Sequence, residues 1–204
     1  EIIKEGLAEN QYRFIPVVDG QDMFAWSVAA VNDMGMGNSA RSNILVLGSS
    51  FSLPFRESFP DAVNQTHPWG QYLSGNGGRW FTSSIGLSPI ANPQDGDGGL
   101  LTFIPEGNQD EALIYSGKID VSTAKAPVFD FWYYYNNGME GGLSVEVSAE
   151  HGLFQPVYKV DYSQSKAGWN IVRVPLSGVD CSGFIQVGLR GSSGNVGRHL
   201  HVDN

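Results

Sequence analysis

Apolar and polar residues alternate with a period of two along most of this chain, the mark of strands with one dry and one wet face. The clearest case is 143–148, where Leu143, Val145 and Val147 alternate with Ser144, Glu146 and Ser148. Just upstream, 128–135 is aromatic and β-branched, a composition that suits a packed, pleated surface. Asn136, Asn137, Gly138, Gly141 and Gly142 lie between the two and read as a hairpin turn. A second hairpin signal at 149–152 leads into 154–160. Further strands are predicted at 100–104, 111–115, 169–175, 184–189 and 199–202, and no segment reads as a helix. Strands at this spacing predict a two-sheet jelly-roll β-sandwich from residue 55 onward. Residues 67–78, with Trp69 and Tyr72, read as loop.

The first part of the chain follows a different pattern. Strands are predicted at 11–18, 24–32 and 39–47, with Phe24, Trp26, Val28 and Ala30 on one face and a turn at 33–38. Residues 1–48 amount to half a sandwich, too little to fold alone. Residues 49–54 form a short Ser-, Phe- and Pro-containing linker ahead of the 55–204 unit, and a protease is expected to cut within 48–54 and leave 53–204 intact.

Two resemblances follow from these motifs. Residues 20–42, an aromatic followed by alternating apolar residues, then Ala30, Val31 and Asn32 and a glycine turn, resemble the last strands of a fibronectin type III domain. Phe24 stands where that family usually has tyrosine. Residues 53–204 resemble the jelly-roll "cleaved adhesin" domains of bacterial surface proteins, related to MAM domains. The matching landmarks are Leu53, Pro54, Phe55, Glu57, Ser58 and Phe59; Trp80 near a glycine-rich loop; Asp97 to Leu101; Pro127, Phe129, Phe131, Trp132 and Tyr133; and 143–148. Trp169 ahead of Val172, Val174 and Leu176, and the final Val202, Asp203 and Asn204, complete the set. The resemblance implies a secreted or cell-surface, non-catalytic adhesion or carbohydrate-binding module with a structural calcium ion, its partner a glycan or an extracellular host protein. Two other readings stand beside it: a glycoside hydrolase or an accessory domain of a larger secreted hydrolase, and a structural spacer.

Composition narrows the partners. The 204 residues carry a formal net charge of −9, with 26 glycines and 16% charged residues. An acidic chain of this kind is a poor partner for nucleic acid or an anionic membrane. No apolar run approaches the ~18 residues of a membrane span. Cys181 is the single cysteine, so an internal disulfide and a cysteine zinc site are both excluded. Glu1 reads as an internal position, so other domains of a longer chain are expected as neighbours.

Four acids are the candidate calcium ligands. Asp95 and Asp97 bracket glycine in a loop that could turn carbonyl oxygens toward a hard cation. Alternation with Phe55 and Phe59 points Glu57 inward, and pairing of the unit's two ends would bring Asp203 beside it. Trp69, Tyr72 and Trp80 are the candidate ligand-binding aromatics, whereas Trp132 and Trp169 read as core. Glu146 and Glu150 share a strand face as a glycosidase pair would, but Glu150 falls at a hairpin tip, and no catalytic residue is assigned. His199 and His201 share a face with no third ligand in sight.

Overall fold

The computed structural model describes residues 6, 9, 12–18, 20–42, 44–59, 67–74, 77–96, 98–194 and 198–204. Its strands in chain order are β1 (Asp22–Phe24), β2 (Ser27–Asn32), β3 (Gly35–Arg41), β4 (Leu45–Leu47), β5 (Trp69–Ser74), β6 (Arg79–Ser83), β7 (Leu100–Ile104) and β8 (Glu111–Ser116). They continue as β9 (Ile119–Asp120), β10 (Val128–Tyr135), β11 (Gly142–Ala149), β12 (Gln155–Lys159), β13 (Gly168–Pro175), β14 (Phe184–Ser192) and β15 (Leu200–Asp203). Among the described residues the only helical element is a 3-10 turn at Tyr162–Gln164.

From β5 onward the chain is a two-sheet sandwich. One sheet runs β13-β10-β15-β7-β6; the other runs β12-β11-β14-β8-β5, with β9 added against β14. The inward residues of both sheets make one core. Phe131 and Tyr133 of β10, Val172 and Val174 of β13, Val202 of β15 and Phe103 of β7 face Leu143, Val145 and Val147 of β11 and Ile185, Val187 and Leu189 of β14. Leu143, Val145 and Val147 thus face the core as the alternation predicts, but the opposite face is not wet, since Glu146 and Ser148 are buried as well. The chain is an all-β sandwich.

Three expectations need correction. Residues 69–74 form a strand, paired with β8 along its whole length. Described residues 12–18 form no strand. Segment 55–59, expected to pair with the last strand, is not a strand either; β15 instead lies inside its sheet between β10 and β7.

The 22–47 region is a bent hairpin. β1 pairs with β4 and β2 with β3, and Trp26 and Ser42 bridge the break between the pairs by two hydrogen bonds of 2.9 Å. The expected shared face of Phe24, Trp26, Val28 and Ala30 is interrupted by the gap between β1 and β2 and again by an irregularity between Ala29 and Val31. Phe24 and Trp26 stack, while Val28 and Val31 are exposed.

The linker lies against the sandwich. Phe51 donates its N–H to the Lys118 carbonyl and accepts from the Asp120 N–H, both at 2.8 Å. The Gln21 side chain copies a backbone edge: its amide donates to the Lys118 carbonyl at 3.1 Å and accepts from the Lys118 N–H at 2.7 Å.

Candidate functional site

The outer face of the five-stranded sheet is not open. Period two places Trp132 and Tyr134 of β10, Trp169 of β13, His201 and Asp203 of β15 and Thr102 of β7 on it. Trp132 and Trp169 thus point away from the core, a correction to the sequence reading. Residues 84–96 cross this face as a strap. Its own turn is closed by hydrogen bonds between Gly86 and Ala91, and the Trp169 indole N–H donates to the Asn92 carbonyl at 3.0 Å. His201 Nε2 meets the Pro89 carbonyl at 2.8 Å and Nδ1 meets the Thr102 hydroxyl at 3.0 Å. A carbonyl only accepts, so Nε2 carries the proton and Nδ1 accepts from Thr102. That is the neutral tautomer, and burial holds the imidazole down to about 4. Gly86 lies flat on this ring, and a Cβ there would come within 2.7 Å of it.

Asp203 sits under the same strap, fully buried although it faces away from the core. Its carboxylate accepts the Gln94 N–H at 2.6 Å and the Asn204 N–H at 2.9 Å. Burial, helped by the negative charge of Asp95, pushes it up to about 6. Arg56 closes the group from solvent, donating to Asp95 at 3.0 Å and to the Asn204 side-chain oxygen at 2.9 Å. The two ends of the unit do meet, through the Arg56 side chain rather than through a strand pair.

Glu57 belongs to a different cluster. It is buried as the alternation requires, and its carboxylate accepts from the Phe59 and His67 N–H groups at 3.1 and 2.9 Å. The Trp69 indole N–H donates to it at 3.3 Å, and the His67 ring nitrogen lies 3.2 Å away. Hydrogens directed at both oxygens suit a carboxylate and oppose a cation. Asp97 lies outside the described residues. Among the described residues no three His, Cys, Asp or Glu side chains converge as a metal would need.

The three aromatic candidates separate as well. Trp80 is 1% exposed, packs on Phe103 and donates its indole N–H to the Ala112 carbonyl, so it is a core residue and offers no face to a ligand. Trp69 packs against Phe59 and serves the Glu57 cluster. Tyr72 is exposed on the outer face of the six-stranded sheet.

The possible acid pair is also engaged. Glu146 is buried and meets Arg190 of the neighbouring strand through two hydrogen bonds, one of them 2.9 Å from Nη2 to Oε2. Glu150 accepts the Phe184 N–H at 2.9 Å.

A cleft of about 430 Å³ opens elsewhere, at the sandwich edge where the outermost strands β12 and β13 diverge. Its floor includes Tyr133, whose hydroxyl pairs with Ser165 at 2.7 Å. Its walls carry the half-exposed ring of Tyr158, the aliphatic Ile171, and the polar ends of Asp161, Gln164, Lys166 and Arg173. Asp161 caps the 3-10 turn by accepting the Ser163 N–H, which also holds its carboxyl below the usual range. Sequence reasoning passed over this stretch. The polar run 161–167 between two predicted strands is visible, but that those strands border opposite sheets is a fact of topology.

No protein-family model matches the chain, and no curated protein matches it. Solved structures do. The K1 cleaved adhesin domain of Lys-gingipain from Porphyromonas gingivalis W83 aligns at TM-score 0.52 with 12% identity, over 72% of this chain and 92% of that one. A structure concerned with the promiscuous specificity of β-sandwich carbohydrate-binding modules aligns at 0.47 with 14% identity, over 90% and 73%. The module TmCBM61 in complex with β-1,4-galactotriose aligns at 0.48 with 15% identity, over 67% and 84%. The adhesin match shows a shared sandwich architecture.

Proposed function

We propose that this chain is an extracellular, non-catalytic module for adhesion, with a glycan as its ligand. The observation that carries the reading is the edge cleft, where an aromatic ring and an aliphatic side chain stand among hydrogen-bonding groups of both kinds. Recognition of a hydroxylated, weakly apolar molecule uses that combination. The engagement of Glu146 with Arg190 and of Glu150 with a backbone N–H supports binding rather than hydrolysis. Adhesin architecture agrees with the secreted or cell-surface setting that the sequence resemblance implies. An array of glycans and immobilised extracellular proteins tests the reading. Saturable binding to a glycan without release of reducing ends supports it; binding to no glycan overturns it.

A structural calcium ion is a second proposal, favoured by Asp203. A fully buried carboxylate beside a second acid is relieved by a cation, and Asp95, Asp203 and the side-chain oxygen of Asn204 are oxygen donors of the type calcium takes. Asp97, two residues from Asp95, joins this proposed set. Glu57, already surrounded by N–H donors, does not.

A further inference from the structure

We infer that the edge cleft between β12 and β13 takes an uncharged oligosaccharide, laid with one sugar face on Tyr158 and its next residue over Ile171. The inference rests on the glycan-binding reading and adds to it the place and the chemical class.

The ring supplies the first element. Tyr158 lies on the outermost strand of the six-stranded sheet and stays 37% exposed while lining the cleft. A pyranose presents an apolar C–H face and a rim of hydroxyls, so it stacks on a ring that is fixed at its base and open on one side. Ile171, 52% exposed, lines the same cleft from the outermost strand of the opposite sheet. It gives an apolar landing for a second residue of the chain.

The polar groups supply the second. Gln164 presents both an acceptor and a donor, Asp161 accepts and Lys166 donates. Vicinal hydroxyls, each a donor and an acceptor, need this mixture. The backbone beneath them is held by the cap from Asp161 to Ser163 and by the Asn170 side chain, which accepts the Lys166 N–H at 3.0 Å and donates to the Lys166 carbonyl at 2.7 Å. Asn170 therefore positions the wall and leaves Gln164 and Asp161 to meet the ligand.

Charge selects the class. Arg173 is tied to Asp130 by three hydrogen bonds, the shortest 2.8 Å, so its charge is matched across the strand pair. Of the remaining charged groups in the lining, Lys166 is a cation and Asp161 an anion. The cleft is balanced, and the whole chain carries −9. A uronate or sulfate chain would gain nothing here and would be repelled by the protein at large.

The test is isothermal titration and array binding of the full 204-residue chain with short neutral oligosaccharides (β-1,4-galactan, β-1,4-glucan and β-1,4-xylan) and with two anionic chains, polygalacturonate and heparin. Expected is binding to a neutral chain that is insensitive to added sodium chloride. Tyr158→Ala and Gln164→Ala should each weaken it by about tenfold, with unchanged thermal unfolding, and Tyr72→Ala should leave it intact. Binding of a neutral chain that survives both cleft substitutions and is lost in Tyr72→Ala puts the site on the six-stranded sheet and overturns the inference while the glycan reading stands. Binding confined to the anionic chains and removed by salt overturns the class. Binding to none overturns the glycan reading itself.

Discussion

Glu146 and Arg190 are diagonal neighbours on the outer side of the six-stranded sheet, Glu146 opposite Gly188 and Arg190 opposite Ser144, joined by two hydrogen bonds across the β11–β14 pair. The carboxylate is buried, and Glu111 approaches the same guanidinium at 3.8 Å. The carboxylate most suggestive of catalysis in the sequence is thus half of an ion pair, and Glu146 raises the Arg190 pKa. Losing the buried partner leaves Arg190 only the longer contact to Glu111, so Glu146→Ala should cost about 3 kcal/mol, read as a lower urea midpoint. Replacing both partners with apolar residues, as in Glu146→Leu with Arg190→Met, should recover most of that loss. A Glu146→Ala protein as stable as wild type would show that the pair holds nothing. Neither wild type nor Glu146→Gln is expected to release reducing sugar from a polysaccharide panel.

His201 predicts an acid limit on stability. Its folded-state pKa, about 4, lies below the ordinary 6.5 because the ring is buried under the strap. The unfolded chain therefore binds the proton more readily. The contribution is fully present above pH 6.5 and is lost as pH falls toward 4. The displacement corresponds to an upper bound of roughly 3–4 kcal/mol. Asp203 changes stability in the opposite direction over part of this range, so the comparison needs a variant: His201→Gln should flatten the fall in melting temperature between these pH values. An unchanged slope in that variant would remove the histidine from the account.

How much of this was legible beforehand depends on the range of the interaction. Alternation at 143–148 and in 128–135 identified strands and core, because burial of one face is a local property of sequence. It also predicted the inward turn of Glu57. It failed for Trp132 and Trp169, since a large aromatic is expected inside and nothing local announces a strap that buries the other face of the sheet. For Asp203 it gives the right side, opposite core Val202, but not the burial; only residues 84–96, far back in the chain, make that side a buried one. The strand at 69–74 was hidden because Gly70 interrupts its apolar pattern, yet that glycine is what admits the Tyr115 ring, which a Cβ would meet. The edge cleft needed the pairing order of both sheets.

Residues 49–54 read as a cleavable linker, and the structure gives that segment partners. Phe51 bridges to the 118–120 backbone and its ring packs on Phe55 and His67, with centroids 5.5 and 4.7 Å away. Gln21 adds a third hold by donating to the Ser49 carbonyl at 2.6 Å as well as to Lys118. Cleavage requires local release of these bonds, so this segment should resist a protease under native conditions. Gln21→Ala should speed cleavage within 48–52 several-fold with little effect on unfolding of the sandwich. Equal rates for the two proteins, followed by mass spectrometry of the fragments, would show that Gln21 does not hold the segment.

The calcium proposal is tested by separating the cost of Asp203 from its use. The folded-state pKa of this carboxyl, about 6, lies above the ordinary 3.8, so the folded protein holds the proton more tightly than the unfolded chain. Its contribution is present below pH 3.8 and is lost as pH rises through about 6, which leaves a penalty of roughly 3 kcal/mol at neutral pH when no cation is bound. A cation held by Asp95, Asp97 and Asp203 would offset that penalty, and at a hundredfold excess over its Kd it would add about 2.7 kcal/mol. Two opposite effects follow for Asp203→Asn. With chelator at pH 7 the variant should melt at a higher temperature than wild type, because a buried charge has gone. With excess calcium the order should reverse, because wild type rises by several degrees and the variant does not. Lowering the pH below about 6 should blunt the wild-type response, since protons then compete for the same oxygens. Glu57→Gln should lower melting equally with and without calcium, its carboxylate serving the Phe59, His67 and Trp69 N–H groups instead. Wild-type melting that ignores both calcium and chelator, with Asp203→Asn more stable in each, would leave Asp203 as a buried acid held by hydrogen bonds alone.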